Sequence, residues 1–330
     1  MATINSRKKV WVLGTGGTIA GKSSNSADNL GYTAGEMGLD QLLQTVEGLA
    51  AALNGRVLMS EQLAKIDSKD MSFSLWRELA LRVNQHLEQA DVQGVVITHG
   101  TDTLEETAYL LSVVLPAAQL ARKPVVLTCA IRPASSATPD GPQNLLDALA
   151  VVGTAGACGV IAVCAGTLHA AQDVQKVHPY RLDAFNSGDA GPLGYVEEGT
   201  VRLLRNWPLA LVDVGTSVIE KMAALDRWPR VEIVMNYAGA SGIMVDALVS
   251  LAGVPAAPLR GLVVAATGNG TVHQALETAL LRAQAAGVTV VLSTRCTNGR
   301  VLPTPGQLFP DSRGLSPVKA RVALMLALMP

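Results

Sequence analysis

GVVITHGTDTLEETAYLLSVVL, residues 94–115, passes from a short aliphatic run (Gly94 to Thr98) through a Gly/Thr loop into a helical pattern (Leu104 to Leu115). A short β-branched run that gives way to helical spacing is the sequence form of a strand feeding a crossover helix. The change recurs along the chain. Val10 to Leu13, Pro124 to Thr128 and Gly159 to Cys164 read as strands; Ser72 to Gln89, with Leu75, Leu79, Val83 and Leu87 at helical spacing, and Asp140 to Val152 read as helices. Asp140 before Gly141 and Pro142 is expected to cap its helix, and Thr103 with Glu106 to form a capping box. After a less regular segment the alternation restarts, with strands Val231 to Met235, Gly261 to Ala265 and Val288 to Leu292 and helices Thr271 to Ala286 and Ser316 to Leu328. The expected fold is α/β: a larger N-terminal domain (1–204) with a mainly parallel sheet flanked by helices, a linker (205–229), and a smaller C-terminal α/β domain (230–330) with its own parallel sheet.

Composition narrows the function classes. Lys and Arg number 26 against 27 Asp and Glu in 330 residues, a formal charge of −1, so no basic field invites nucleic acid or an anionic membrane. Charged residues are only 16% of the chain, and the hydrophobic 49% is aliphatic, since aromatics make 4%. That balance suits either a membrane protein or a protein that buries much of its surface. The stretch from Ala148 to Leu168 is long enough to span about 30 Å of hydrocarbon. Gly153, Gly156, Gly159 and Gly166 interrupt it, so it reads as a helix end, a turn and a strand. At the N-terminus, Arg7, Lys8 and Lys9 precede an apolar run that stops at Gly14, too short for a secretory signal. The four cysteines, Cys129, Cys158, Cys164 and Cys296, make neither a CxxC pair nor a metal spacing, and read as reduced thiols of a cytoplasmic protein.

Ligands of open parallel sheets bind beyond the carboxyl ends of the strands. Two loops leave strands there: Gly14-Thr15-Gly16-Gly17-Thr18 and His99-Gly100-Thr101-Asp102-Thr103. Gly16 to Ser23 also satisfies the G-x-x-x-x-G-K-S pattern of a phosphate-binding loop. Nucleotide binding is nevertheless rejected, because Lys22-Ser23 runs into Ser24-Asn25-Ser26-Ala27-Asp28-Asn29, turn formers where the pattern requires a helix start. A threonine hydroxyl becomes a nucleophile only when a base takes its proton. Thr18, or Thr101 beside Asp102, fits that role given a lysine or tyrosine nearby, and spacing does not say which.

The loop Thr15-Gly16-Gly17-Thr18-Ile19-Ala20-Gly21, the stretch Ile97 to Tyr109, and Arg132-Pro133 followed by Asp140-Gly141-Pro142 resemble the bacterial L-asparaginase / glutaminase-asparaginase family. The likeness extends nearly to the end of the chain, through Ala320-Arg321-Val322. It implies hydrolysis of L-asparagine to L-aspartate and ammonia, with side activity on L-glutamine, and no metal or organic cofactor; the 1–204 domain would carry the catalytic threonines. It implies that Thr18 attacks the side-chain amide with help from Tyr32. Thr101, Asp102 and Lys176 would form a second group handling protons and water. Ser68 would bind the substrate α-carboxylate, and Asp102 also its α-ammonium. A homotetramer built as a dimer of dimers, with sites at subunit boundaries, is the implied assembly.

Taken singly, each residue has a plainer reading: Asp102 as a helix-start anion, Lys176 as an ion-pair partner, Tyr32 as a loop anchor and Ser68 as a turn residue. Three positions depart from the family pattern. Lys69 follows the carboxylate-binding Ser68 and is expected to point outward; Thr271 and Gln307 stand where partner-subunit contacts are expected. The competing class is a non-catalytic amino-acid-binding protein on the same fold.

Overall fold

The computed structural model describes residues 7–208, 217–250 and 258–330. The chain divides into two compact units, Met1–Ile219 and Glu220–Pro330.

The first unit is built on an eight-stranded sheet. Its strands are β1 (Lys9–Gly16), β2 (Val57–Ile66), β3 (Val92–Thr98), β4 (Val125–Thr128), β5 (Val160–Cys164) and β6 (Thr167–Ala170), then β9 (Gly194–Glu197) and β10 (Thr200–Leu203). Between the last two and β6 lies a small ladder of β7 (Gln175–Lys176) and β8 (Phe185–Asn186). The spatial order is β10-β9-β6-β5-β4-β3-β1-β2. Strands β2, β1, β3, β4 and β5 run parallel, and β6, β9 and β10 add an antiparallel edge. The chain goes from β1 outward to β2 and then crosses back to β3 on the other side of β1. The connections therefore diverge between β1 and β3, which is where an open sheet leaves a crevice at its carboxyl edge.

The helices of this unit are α1 (Leu39–Gln44), α2 (Leu49–Leu53), α3 (Phe73–Glu88), α4 (Leu104–Val114), α5 (Ala117–Leu120) and α6 (Gly141–Gly153). A sheet covered on both faces needs strands apolar on both sides, and β4 and β5 are buried at every position. On one face α6 sets Leu145, Ala148, Leu149 and Val152 against Val96, Val126, Ile161 and Val163. Each such buried Val, Leu or Ile side chain contributes about 1.5–3 kcal/mol. The stretch from Ala148 to Leu168 resolves into the end of α6 and then β5, and among the described residues no helix is long and apolar enough to cross a membrane.

Two caps differ from expectation. Asp140 stands at the N-cap of α6, but its carboxylate accepts the backbone N–H of Ile131 (3.0 Å) and Arg132 (2.9 Å) rather than capping its own helix. Thr103 is the N-cap of α4, yet its hydroxyl donates to the Ser68 carbonyl (2.8 Å). In both, the side chain ties two loops together instead of ending a helix. The segment expected as a linker contains α7 (Ser217–Ala224); residues 209–216 of it lie outside the described residues. The eight-residue helix has only two turns of pattern, too few to stand out between Trp-Pro pairs.

The second unit carries a parallel sheet in the order β11 (Arg230–Met235), β12 (Leu259–Ala266), β13 (Thr289–Thr294), with helices α8 (Ile243–Ser250), α9 (Gln274–Ala285) and α10 (Pro317–Ala327). Leu262, Val264 and Val290 form its core with Leu276, Ala279, Leu280 and Ala283 of α9.

Asn144 on α6 fastens the sheet end beside the crevice. Its amide nitrogen donates to the Cys129 carbonyl just past β4 (2.9 Å), and its amide oxygen accepts Ala165 N–H just past β5 (2.9 Å). Asn144→Ala leaves both groups buried without partners. The expected loss is about 2–4 kcal/mol in urea unfolding.

Candidate active site

Two glycines bring the threonine loops together. Gly17, after β1, has φ +81°, and a Cβ there would lie 2.4 Å from the Cα of Gly100. A Cβ on Gly100 would in turn lie 2.5 Å from Ser68 Oγ. Only residues without side chains permit this approach, which sets the loops after β1, β2 and β3 in backbone contact. Gly17 N–H also donates to the Ile66 carbonyl at the end of β2 (2.8 Å).

The elements beyond these strands supply the polar groups. Thr18 opens a single 3₁₀ turn and is buried, and its Oγ1 is 2.6 Å from the Tyr32 hydroxyl. Tyr32 sits on a loop closed by paired backbone bonds between Lys22 and Thr33. Those bonds continue the chain as a loop, so no helix starts at Lys22-Ser23 to hold phosphate. Ser68 is buried in a turn capped by Asp67, and its Oγ accepts the Asp102 N–H (3.2 Å). Lys176, on β7, donates to Thr101 Oγ1 (2.8 Å) and to Asp102 Oδ1 (2.5 Å). The Lys176 side chain is 18% exposed and that of Asp102 51%, so the pair sits at the mouth rather than in the core.

All six side chains named from the sequence, Thr18, Tyr32, Ser68, Thr101, Asp102 and Lys176, line one cavity of about 230 Å³. Gly100 completes its wall together with Asn29, Leu30, Asp67, Ile131, Pro179 and Tyr180, six residues to which the sequence assigns no role in the site. Ile131 had a legible signal, because it follows a parallel strand, β4, at the same edge. Pro179 and Tyr180 had none: the turn that presents them depends on His178 Nδ1 accepting the backbone N–H of Tyr180 and Arg181 (3.0 Å each). A larger groove of about 1130 Å³ runs along α2, α6 and the β9–β10 hairpin, and none of Thr18, Tyr32, Ser68, Thr101, Asp102 and Lys176 lines it.

Lys69 turns to solvent and pairs with Asp67 (2.6 Å) and Asp70 (3.6 Å), which answers its charge locally. Thr271 bonds back to Thr267 within the second unit, and Gln307 donates to the Phe309 carbonyl (2.7 Å).

Behind the site, His99 is fully buried. Its Nδ1 faces the Gly100 carbonyl (2.7 Å) and must donate, so Nε2 accepts from the Thr107 hydroxyl (3.0 Å), which itself accepts Trp76 Nε1–H (2.9 Å). Burial pushes the His99 pKa down to about 4, although the Gly100 bond opposes the shift.

The first 201 residues of similarity, 9–209, match the family model for the N-terminal domain of asparaginase, and 230–329 match that for the glutaminase/asparaginase C-terminal domain. L-asparaginase 2 of Escherichia coli is 36% identical over 326 residues, covering 97% of this chain and 88% of that one. A Haemophilus influenzae protein described as a probable periplasmic L-asparaginase is 36% identical over 327 residues, with the same two coverages. The crystal structure of a probable cytoplasmic L-asparaginase from Campylobacter jejuni superposes with a TM-score of 0.86 at 35% identity, covering 98% of this chain and 95% of that one.

Two outcomes are expected. Gly17→Ala forces both a positive φ and a backbone clash, and destabilises the protein by about 2 kcal/mol or more by thermal unfolding. His99 stays neutral in the folded protein while its unfolded counterpart protonates, so the unfolded state binds the extra proton between pH 6.5 and about 4. Stability present above pH 6.5 is lost as pH falls through that window, by roughly 3 kcal/mol. Denaturant titrations of the protein and of His99→Gln, which lacks this slope, check it.

Proposed function

This chain belongs to the asparaginase family, and from that premise we propose that it hydrolyses L-asparagine to L-aspartate and ammonia, with side activity on L-glutamine. The observation that carries the mechanism is the 2.6 Å pair of Thr18 and Tyr32 hydroxyls, which share a cavity with the bonded set of Lys176, Thr101 and Asp102.

Substrate recognition needs a donor for the α-carboxylate and an anion for the α-ammonium. Ser68 Oγ already accepts a backbone N–H, which leaves its proton for a carboxylate; Asp102 supplies the anion. With the two ends of the amino acid held there, the side-chain amide reaches Thr18, and the small cavity limits side-chain length. Thr18 Oγ1 attacks the amide carbon. Its proton passes through the Tyr32 hydroxyl to the departing nitrogen, ammonia leaves, and an ester to Thr18 remains. In the second half, water attacks this acyl-enzyme. Thr101, accepting from Lys176, turns its own proton toward the cavity and orients that water, and the proton given up by water returns to Thr18 Oγ1. The steps use side chains and water alone.

The reading extends to assembly and location. A homotetramer, two dimers paired, with sites completed at subunit boundaries, is proposed from the family resemblance, and sedimentation at the tetramer mass checks it. Cytoplasmic residence is proposed on the likeness to the Campylobacter structure, described as that of a probable cytoplasmic L-asparaginase.

A coupled ammonia assay with L-asparagine, D-asparagine and L-glutamine tests the reaction. Thr18→Val and Thr101→Val should each lower kcat on L-asparagine by about a thousandfold or more with the circular dichroism spectrum unchanged. Retention of full activity in either variant overturns the role given to that residue.

A further inference from the structure

Cys129 and Cys164 are 35 residues apart in sequence, yet their sulfurs lie 2.7 Å from each other. The closeness follows from sheet register. Thr128 at the end of β4 pairs with Val163 of β5, so the next residues, Cys129 and Cys164, leave the two strands side by side. Adjacent strands lie about 4.7–4.9 Å apart, inside the Cα separation that a disulfide spans. Both side chains are buried, at 1% and 4% exposure, and Asn144 holds the backbone on either side, through the Cys129 carbonyl and Ala165 N–H. The other two cysteines differ: Cys158 is half-buried and Cys296 exposed, and neither meets a second sulfur among the described residues.

We propose that Cys129 and Cys164 form a redox-modification site, a dithiol that closes reversibly to a disulfide with a small, uncharged two-electron oxidant of the hydroperoxide class. The balance is that of two successive displacements. One thiol sulfur attacks a peroxide oxygen, giving a sulfenic acid and one water; the second sulfur then displaces that oxygen as water, and the S–S bond forms. Two thiols and one hydrogen peroxide become one disulfide and two waters, and a dithiol reductant reverses the change. Burial pushes the Cys129 thiol well above its ordinary range and Cys164 adds to that, while Lys176 acts the opposite way. The thiol form dominates, so closure is slow and needs a small oxidant able to enter a packed interior.

The site couples to the cavity. Ile131, two residues beyond Cys129, lines it, and Asp140 fixes the Ile131 N–H. Forming the S–S bond fixes both side-chain torsions and ties the end of β4 to the end of β5, and a packed interior passes such a constraint to its neighbours.

The test is incubation of the folded protein with hydrogen peroxide, followed by alkylation in denaturant and peptide mapping under non-reducing conditions. One cross-link, Cys129 to Cys164, is expected, absent from Cys129→Ser and from Cys164→Ser. Four alkylated cysteines after exposure, or a cross-link through Cys158 or Cys296 in place of this one, overturn the site. The activity arm rests on the proposed asparagine hydrolysis: kcat/KM on L-asparagine should fall about three- to tenfold, recover with dithiothreitol, and stay unaffected by peroxide in Cys164→Ser. A fall that persists in that variant overturns the coupling. An absence of any hydrolysis before oxidation overturns the proposed reaction instead, and the cross-link is still read by mass.

Discussion

The structure of the site depends on one close backbone approach, Gly17 against Gly100. These residues stand just beyond β1 and β3, the two strands between which the chain's connections diverge. Divergence alone opens a crevice; the missing side chains let its walls meet. Ser68, from the third loop, fits under Gly100 with no room for a methyl group. Thr18, Thr101 and Ser68 therefore come from three strands that are far apart in sequence but share one edge. Hydrogen bonds then finish what the sterics begin, with Ser68 accepting from Asp102 and Thr103 donating to Ser68. His99 lies behind this contact, its tautomer fixed by the Gly100 carbonyl, so the loop is held from its buried side as well.

How much of this was legible follows from the range over which each feature is decided. Strands β3, β4 and β5 and helices α3, α4 and α6 could be read directly, because burial on both faces or on one stripe imposes a local pattern. Strand β2 could not. It is an edge strand with partly exposed positions throughout, and Val57 to Ile66 reads as neither an aliphatic run nor a clean alternation. The antiparallel additions β6, β9 and β10 are four residues each, with glycines at their turns. In the cavity, the threonines announce themselves through glycine-rich loops. The wall does not: Tyr180 and Pro179 depend on a histidine-capped turn, and the meeting of Cys129 with Cys164 depends on the register of β4 with β5. Local spacing marks Asp140 and Thr103 as caps, whereas their side chains answer loops that only the tertiary fold brings near.

The low charge content has a physical place in the same design. A sheet covered on both faces consumes aliphatic residues, and α6 against β3, β4 and β5 shows where they go. Polarity is spent locally instead. Lys69 answers Asp67 and Asp70, and Lys176 answers Asp102, so the cavity mouth gathers opposite charges within a chain of net −1. A zwitterion is recognised by such local groups and gains nothing from a protein-wide field.

A binding protein and an enzyme would share much of this cavity, and what distinguishes them is which groups are left with no task. In the proposed reading, holding an α-carboxylate and an α-ammonium uses Ser68 and Asp102. It leaves unexplained why two hydroxyls, Thr18 and Tyr32, sit 2.6 Å apart, and why a lysine is spent on a threonine oxygen in the same space. Simple recognition of a side-chain amide would be served as well by an Asn or Gln, without drawing a tyrosine across a loop from Lys22 to Thr33. Paired hydroxyls that can pass a proton in either direction are what an attack and its reversal require. The two-step transfer proposed above gives each of these groups a task that binding alone does not, so Thr18 and Thr101, rather than Ser68, are the positions at which the enzyme and binding readings part.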